Sequence, residues 1–236
     1  MSYKALDTDK IVTTVEILGK RIHERFPNSG LYRVSQQLLD IAFESRKRTA
    51  EIKEPIMWVR ALNVFFIVLI ILTLLGSMAR FRLGFADLHF FDFIQALEAG
   101  INDVVLIGAG VFFLITLEQR IKRTRALKAL HELRSVAHVI DMHQLTKDPE
   151  RLLSKGDRTA SSPKASMSPY ELGRYLDYCS EMLSLTGKLA ALYMQDFDDS
   201  VVLQSVNEIE DLTTGLSQKI WQKLVILHES TLGSEA

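Results

Sequence analysis

The chain has 236 residues, enough for one sizeable domain or two small ones. Its 28 Lys and Arg residues balance 29 Asp and Glu residues, so the overall charge gives no indication of nucleic-acid binding. The one cysteine, Cys179, excludes an intrachain disulfide and a cysteine-based zinc cluster. The first twenty residues are too polar for a secretory signal peptide, so the internal apolar segments must direct any membrane insertion.

Residues 1–55 carry two apolar stripes at helical spacing and are predicted to form an N-terminal pair of cytoplasmic helices. The stripe of the first helix consists of Ile11, Val15, Leu18, Ile22 and Phe26, and that of the second begins with Leu31, Val34, Leu38 and Ile41. The sequence Pro27–Gly30 separates the two helices, and Pro55 ends the second.

Residues 56–118 are predicted to form a transmembrane hairpin. Ala61–Met78 is an uncharged apolar run of 18 residues, which covers roughly 27 Å as a helix, close to the hydrocarbon thickness of a bilayer. Val104–Leu117 is shorter, and including residues from Gly100 makes a second span, so the spans cover about 58–79 and 100–118. A buried core helix is the alternative for the first run, and a hairpin partner would satisfy the polar side chain of Asn63.

The intervening residues 80–99 are predicted to form an external amphipathic loop. Leu88, Phe91, Ile94 and Leu97 recur at helical spacing, which indicates a short helix lying at the outer membrane interface.

Lys and Arg residues are concentrated outside the predicted hairpin, and this distribution gives its orientation. Those before the first span are Arg46, Lys47, Arg48, Lys53 and Arg60; those after the second are Arg120, Lys122, Arg123, Arg125 and Lys128. The loop offers only Arg80 and Arg82, so both termini are predicted to be cytoplasmic, in a plasma membrane or a bacterial inner membrane. The candidates for contact with lipid headgroups are Arg46, Lys47, Arg48, Arg120, Lys122, Arg123 and Arg125.

Three segments follow the second span. Residues 119–146 lack a helix breaker and are predicted to extend the second span into the cytoplasm, with Leu130, Leu133, Ala137 and Ile140 on the packing face. Residues 147–168 form a predicted flexible linker, and residues 169–236 a C-terminal helical hairpin. Ser168, Pro169 and Glu171 supply the capping signals of its first helix. The inward positions are Leu172, Leu176, Cys179, Met182, Leu183, Leu189 and Leu192, then Val202, Val206, Ile209, Leu216, Ile220 and Leu227.

Two polar groups are candidates for functional sites. His131, Arg134, His138 and Asp141 share one helix face, with His143 nearby; His138 and Asp141 are a possible metal pair, although they need further ligands and we expect a solvated polar face without a metal. At the outer end of the second span, Glu98, Asn102 and Asp103 would form a ring of polar groups in an oligomeric channel. The simpler interpretation is that Asn102 and Asp103 mark the membrane boundary.

The sequence thus predicts an all-α membrane protein in which a two-helix transmembrane hairpin carries a cytoplasmic bundle built from N- and C-terminal segments. No catalytic pattern is present, and we expect no enzyme activity and no cofactor. The predicted function is that of a membrane-anchored scaffold or adaptor. Its expected partners are the lipid bilayer and, through the cytoplasmic helices, a second copy or another protein, but not nucleic acid. The alternative is a subunit of an oligomeric ion channel or transporter whose second span lines the pore.

Overall fold

The computed structural model describes residues 5–82, 90–149 and 167–233, and within these ranges the chain is helical without strands. The helices are α1 (Thr8–Arg25), α2 (Gly30–Lys53), α3 (Met57–Arg82), α4 (Phe90–Leu145), α5 (Pro169–Gln195) and α6 (Ser200–Gly233). The predicted all-α class is therefore confirmed. Most of the predicted linker, including residues 150–166, lies outside the described residues, as do residues 83–89 of the predicted loop.

The chain divides into two compact units. The first contains the described residues up to Lys53 and from Arg125 onward, and we call it the bundle. The second, the apolar unit, runs from Glu54 to Thr124. Helix α4 therefore contributes its first part to the apolar unit and its last part to the bundle.

The core of the bundle is built from both ends of the chain. Helix α5 packs against α6, α1 and α2, so the N-terminal helix pair and the C-terminal hairpin associate within one chain, a point that the sequence left open. The predicted stripes of α1, α4, α5 and α6 are buried in this core. In α2, Leu31, Val34 and Leu38 of the predicted stripe are buried and Ile41 packs against the core partly buried, while its neighbour Ala42 is fully buried.

Side-chain caps fix several helix ends of the bundle. Asp7 accepts hydrogen bonds from the backbone of Asp9 and Lys10 and so caps α1. The predicted capping box of α5 is present, since Ser168 and Glu171 each accept a hydrogen bond from the other's backbone N–H. In α6 the carboxylate of Asp199 accepts hydrogen bonds from two backbone N–H groups of the first turn, those of Val201 and Val202.

Helix α4 differs from the prediction at its start. A separate interfacial helix was expected before a second span beginning at Gly100, but α4 begins at Phe90 and passes through Gly100 without a break. An isolated glycine costs a helix only about 1 kcal/mol, and no proline lies within α4. Helix α4 therefore continues through Gly100.

Two helices, α3 and the first part of α4, are long and apolar enough to cross a membrane. Only 6% of the most apolar stretch of the first is buried, and none of that of the second. A core helix of a water-soluble domain would be mostly covered by other elements. These helices instead leave their apolar side chains on the surface of the apolar unit.

Candidate functional site

Glu118 links the two helices of the apolar unit. Its carboxylate accepts hydrogen bonds from the backbone N–H of Ile56 (3.2 Å) and from Nε of Arg60 (3.3 Å), and it forms an ion pair with Nζ of Lys122 at 3.1 Å. The side chain is only 16% exposed, so this carboxylate is held close to the start of α3. The sequence prediction missed it because only the basic residues were used for orientation. The sequence signal for this contact is an acid, Glu118, at the end of the second span and a base, Arg60, at the start of the first.

Asn63 makes a second polar contact between the helices of the apolar unit. Its Nδ2 donates a hydrogen bond to the carbonyl oxygen of Leu114 at 3.1 Å, which is the kind of neighbour that the sequence predicted for it. Its Oδ1 is buried and has no hydrogen-bond partner among the described residues. Together with Glu118, this contact sets the register of α3 against α4.

The structure places the predicted pore residues Glu98, Asn102 and Asp103 on α4. Glu98 and Asn102 are exposed one turn apart, and the side chain of Asp103 lies outside the described residues. A Cβ built on Gly108 or Gly110 would meet nothing within 4 Å, so these glycines make no close helix contact within the described chain.

The predicted lipid-headgroup residues are partly neutralised by carboxylates. Arg46 pairs with Asp9, Lys47 with Glu51, Arg48 with Glu44 and Glu132, and Lys122 with Glu118. Arg120 lies over the ring of Phe113, and the side chain of Arg125 is exposed. Arg123 is partly buried and interacts with other groups. Of the bundle residues in this group, Arg48 is the most enclosed, which favours a structural role for it.

The polar face of α4 does not form a metal site within the part of the chain that the structure describes, where no group of three or more possible ligands converges. His131 and His138 are exposed, and Asp141 accepts a hydrogen bond from Gln144 at 2.7 Å. Arg134 pairs with Glu208 of α6. These contacts agree with a solvated face that packs at its edges.

His143 points away from the metal candidates and into the bundle. Its Nδ1 lies 3.5 Å from the hydroxyl of Tyr175. Burial lowers the pKa of His143, and the charges of Arg33 and Lys147 lower it further. The imidazole is therefore held neutral more strongly than in the unfolded chain.

A cavity that the sequence did not predict lies between α1 and α5. It has a volume of about 450 Å³ and is lined by Arg21, Glu24, Arg25, Arg174 and Tyr178. We call it the arginine pocket. Three guanidinium groups and one carboxylate line it, so the lining itself has an excess of positive charge.

Tyr178 and two acids organise the arginine pocket. The guanidinium carbons of Arg21 and Arg174 lie 5.2 and 5.0 Å from the centre of the buried Tyr178 ring, within the range of cation–π attraction. Glu181 accepts hydrogen bonds from both terminal nitrogens of Arg21 at 2.7 and 3.2 Å, and Asp177 accepts from Arg174 at 2.9 Å. Neither acid lines the pocket.

The electrostatics of the pocket act on the Tyr178 hydroxyl. Burial raises the pKa of Tyr178, but hydrogen bonds from Arg174 and Arg25 outweigh this, and the pKa is lowered overall. Arg25 also lies over the ring of Tyr170, at 5.3 Å from its centre. The positive charges of Arg174 and Arg25 therefore favour the ionised form of this hydroxyl.

A groove continues from the arginine pocket along α5. A cavity of about 530 Å³ is lined in part by Ser184 and Leu185 of α5 and by Trp221 and Leu224 of α6. A smaller cavity of about 340 Å³ shares Leu224 with it and shares Arg174 with the arginine pocket. We call these two cavities the α5–α6 groove. Trp221, which lines this groove, is 66% exposed.

The arginine pocket and the α5–α6 groove are concave surfaces of the bundle, the kind of surface on which ligands commonly bind. Comparison of the chain with protein-family models, with curated proteins and with solved structures gives no match.

Proposed function

We propose that the chain is a membrane-anchored helical adaptor. Its two apolar helices cross the bilayer as a hairpin, and its bundle acts by binding a protein partner. The observation that carries this proposal is that the apolar stretches of α3 and α4 are almost entirely unburied, with 6% and 0% covered. Exposed apolar surface on this scale is costly in water and favourable in lipid.

The bundle is formed by chain segments that precede and follow the two apolar helices, and this supports placing both termini on one side of the membrane. One compact unit is made from residues before and after the two apolar helices. Such a unit can form only if the chain crosses the membrane an even number of times. The excess of Lys and Arg on both flanks of the hairpin favours the cytoplasmic side for the bundle.

The surface of the bundle supports a binding role. Helices α1, α2, α5 and α6 and the last part of α4 contribute to its core, and the arginine pocket and the α5–α6 groove are concave surfaces outside this core. Trp221 lies beside this groove, and exposed tryptophans and arginines are enriched where proteins bind one another.

Cysteine accessibility in sealed vesicles tests the membrane arrangement. Cys179 is fully buried, so an added cysteine can be labelled selectively. We expect Tyr170→Cys in the bundle and Ala86→Cys between the spans to react with an impermeant maleimide from opposite sides. Labelling of both from the same side would overturn the hairpin, and extraction of the chain by alkaline carbonate would overturn insertion altogether.

A channel subunit is the second candidate function, favoured by the exposure of Glu98 and Asn102 one turn apart on α4. Native mass spectrometry in nanodiscs separates the two functions. A monomer or dimer supplies at most four membrane helices, too few for an ordinary aqueous pore, and favours the adaptor. A ring of four or more subunits favours the channel, and Glu98→Gln should then change cation flux while Glu51→Gln, a bundle control, should not.

A further inference from the structure

We propose that the arginine pocket binds the phosphate monoester of a phosphorylated peptide and that the α5–α6 groove receives the adjoining residues of that peptide. This inference rests on the proposed adaptor function and names the chemistry of its partner. The pocket concentrates three guanidinium groups, whose planar N–H donors match the oxygens of a phosphate.

The arginines are held in place before any ligand binds. Glu181 takes one N–H from each terminal nitrogen of Arg21, and Asp177 takes one from Arg174. A guanidinium has five N–H donors, so several remain on each arginine for another acceptor. Neither acid lines the arginine pocket, so they orient the guanidinium groups without occupying that cavity, although both line the larger cavity of the α5–α6 groove.

The remaining charges favour a dianion over a carboxylate. Glu24 is the acid that lines the pocket, and it opposes the three arginines there. A phosphate monoester carries nearly two negative charges at neutral pH and three acceptor oxygens. It therefore gains more from three guanidinium groups than a glutamate side chain does, because the positive charges in the lining outnumber the one carboxylate of Glu24.

The extended shape of the site favours a peptide over a lipid headgroup. Arg174 lines both the arginine pocket and the groove that leads to Leu224, so a chain bound at the pocket can continue along α5.

Fluorescence anisotropy with the full-length chain in nanodiscs tests the proposal. The probe is a labelled peptide pool with one fixed phosphoserine and randomised flanking residues; matched pools carry serine or glutamate instead. We expect the phosphoserine pool to bind at least tenfold more tightly than either, with an affinity that falls as salt rises. Equal binding of the serine pool would overturn the proposal.

Two variants of the pocket give opposite expectations. Arg25→Gln removes an exposed guanidinium and should weaken binding of the phosphoserine pool at least tenfold. Glu24→Gln removes the opposing acid and should strengthen it severalfold. Arg33→Gln, at the same end of the bundle but outside the pocket, is the matched control and should leave the affinity unchanged. An equal loss in Arg25→Gln and Arg33→Gln would show general charge attraction and overturn the site.

A second arm distinguishes this inference from the function on which it rests. Arg25-dependent capture by vesicles containing phosphatidylinositol 4-phosphate, without binding of the phosphoserine pool, would assign the pocket to a lipid and overturn the peptide. If cysteine labelling shows the hairpin but no phosphoserine pool binds, the inference fails while the membrane anchor stands. If the pool binds but both cysteines label from one side, the anchor fails and the phosphopeptide site stands.

Discussion

Replacement of Gly30 by alanine tests the packing of α2 against α4. We expect this substitution to destabilise the bundle when His143 is present and to stabilise it when His143 is also alanine. A Cβ at Gly30 would lie 2.4 Å from Cε1 of His143, far inside van der Waals contact. The imidazole cannot retreat freely, since Tyr175 approaches its Nδ1. We therefore expect Gly30→Ala to lower the free energy of unfolding of the bundle by about 1–3 kcal/mol, the usual cost of overpacking.

The same substitution should become stabilising when His143 is also alanine. The backbone of Gly30 is not in the left-handed region, so alanine fits its conformation. With the imidazole removed, the lower entropy of the unfolded chain should then raise the free energy of unfolding by about 0.4–1 kcal/mol. The two substitutions must therefore couple strongly.

Protection of Cys179 provides a bundle-specific assay for this cycle. The full chain in detergent micelles is titrated with urea, and a short alkylation pulse measures the fraction in which this buried thiol has become accessible. His143→Ala alone serves as the reference for the double variant. A Gly30→Ala substitution that destabilises equally with and without the imidazole would refute the proposed clash, as would a neutral effect in the otherwise unchanged chain.

Three further outcomes are expected from the bundle. Burial raises the pKa of Cys179 to about 12, so alkylation at about pH 8 should be orders of magnitude slower in the folded chain than in urea. The pKa of His143 is lowered, so the unfolded state binds protons more readily. The free energy of unfolding should then fall as the pH drops through 6.5, the ordinary pKa, and His143→Gln should remove that part of the dependence in a urea titration. Ser168→Ala deletes the cap of α5 and should cost about 1 kcal/mol in the same titration, whereas Ser168→Thr should cost less.

Helical periodicity predicted most of the core because the bundle helices have one solvated face. The exception in α2 shows the limit of hydropathy. Leu31, Leu38 and Ile52 are buried at heptad-related positions, and small residues such as Ser35 and Ala42 complete the same face. A Cβ on Gly19 of α1 would come within 3.6 Å of Ser35 Oγ, so the two helices approach closely there. Small residues at close helix contacts have no distinctive hydropathy, so the pattern indicates Ile41, which is partly buried, but not the fully buried Ala42.

The arginine pocket could not be predicted from the sequence for a different reason. Arg21 and Arg25 are one turn apart on α1, and Arg174 and Tyr178 are one turn apart on α5, but each pair alone resembles an ordinary solvated face. In the sequence, acidic residues close to each pair balance the positive charge of its arginines. Only the packing of α1 on α5 brings the guanidinium groups of Arg21 and Arg174 together on the ring of Tyr178.

The position of the core residues predicts that the bundle can fold without insertion of the apolar helices into a membrane. The buried hydrophobic cluster of the bundle draws on residues up to Ile52 and from Ala126 onward, with none of its members in the apolar unit. A chain in which a flexible Gly/Ser linker replaces residues 54–124 should therefore be soluble and helical, since a change in loop length alters the closure entropy by only about 0.6 kcal/mol per doubling. We expect it to protect Cys179 from alkylation and to unfold cooperatively in urea. Immediate alkylation without urea would show that the apolar helices contribute to holding the bundle together, and the bundle could then not act as an independent adaptor.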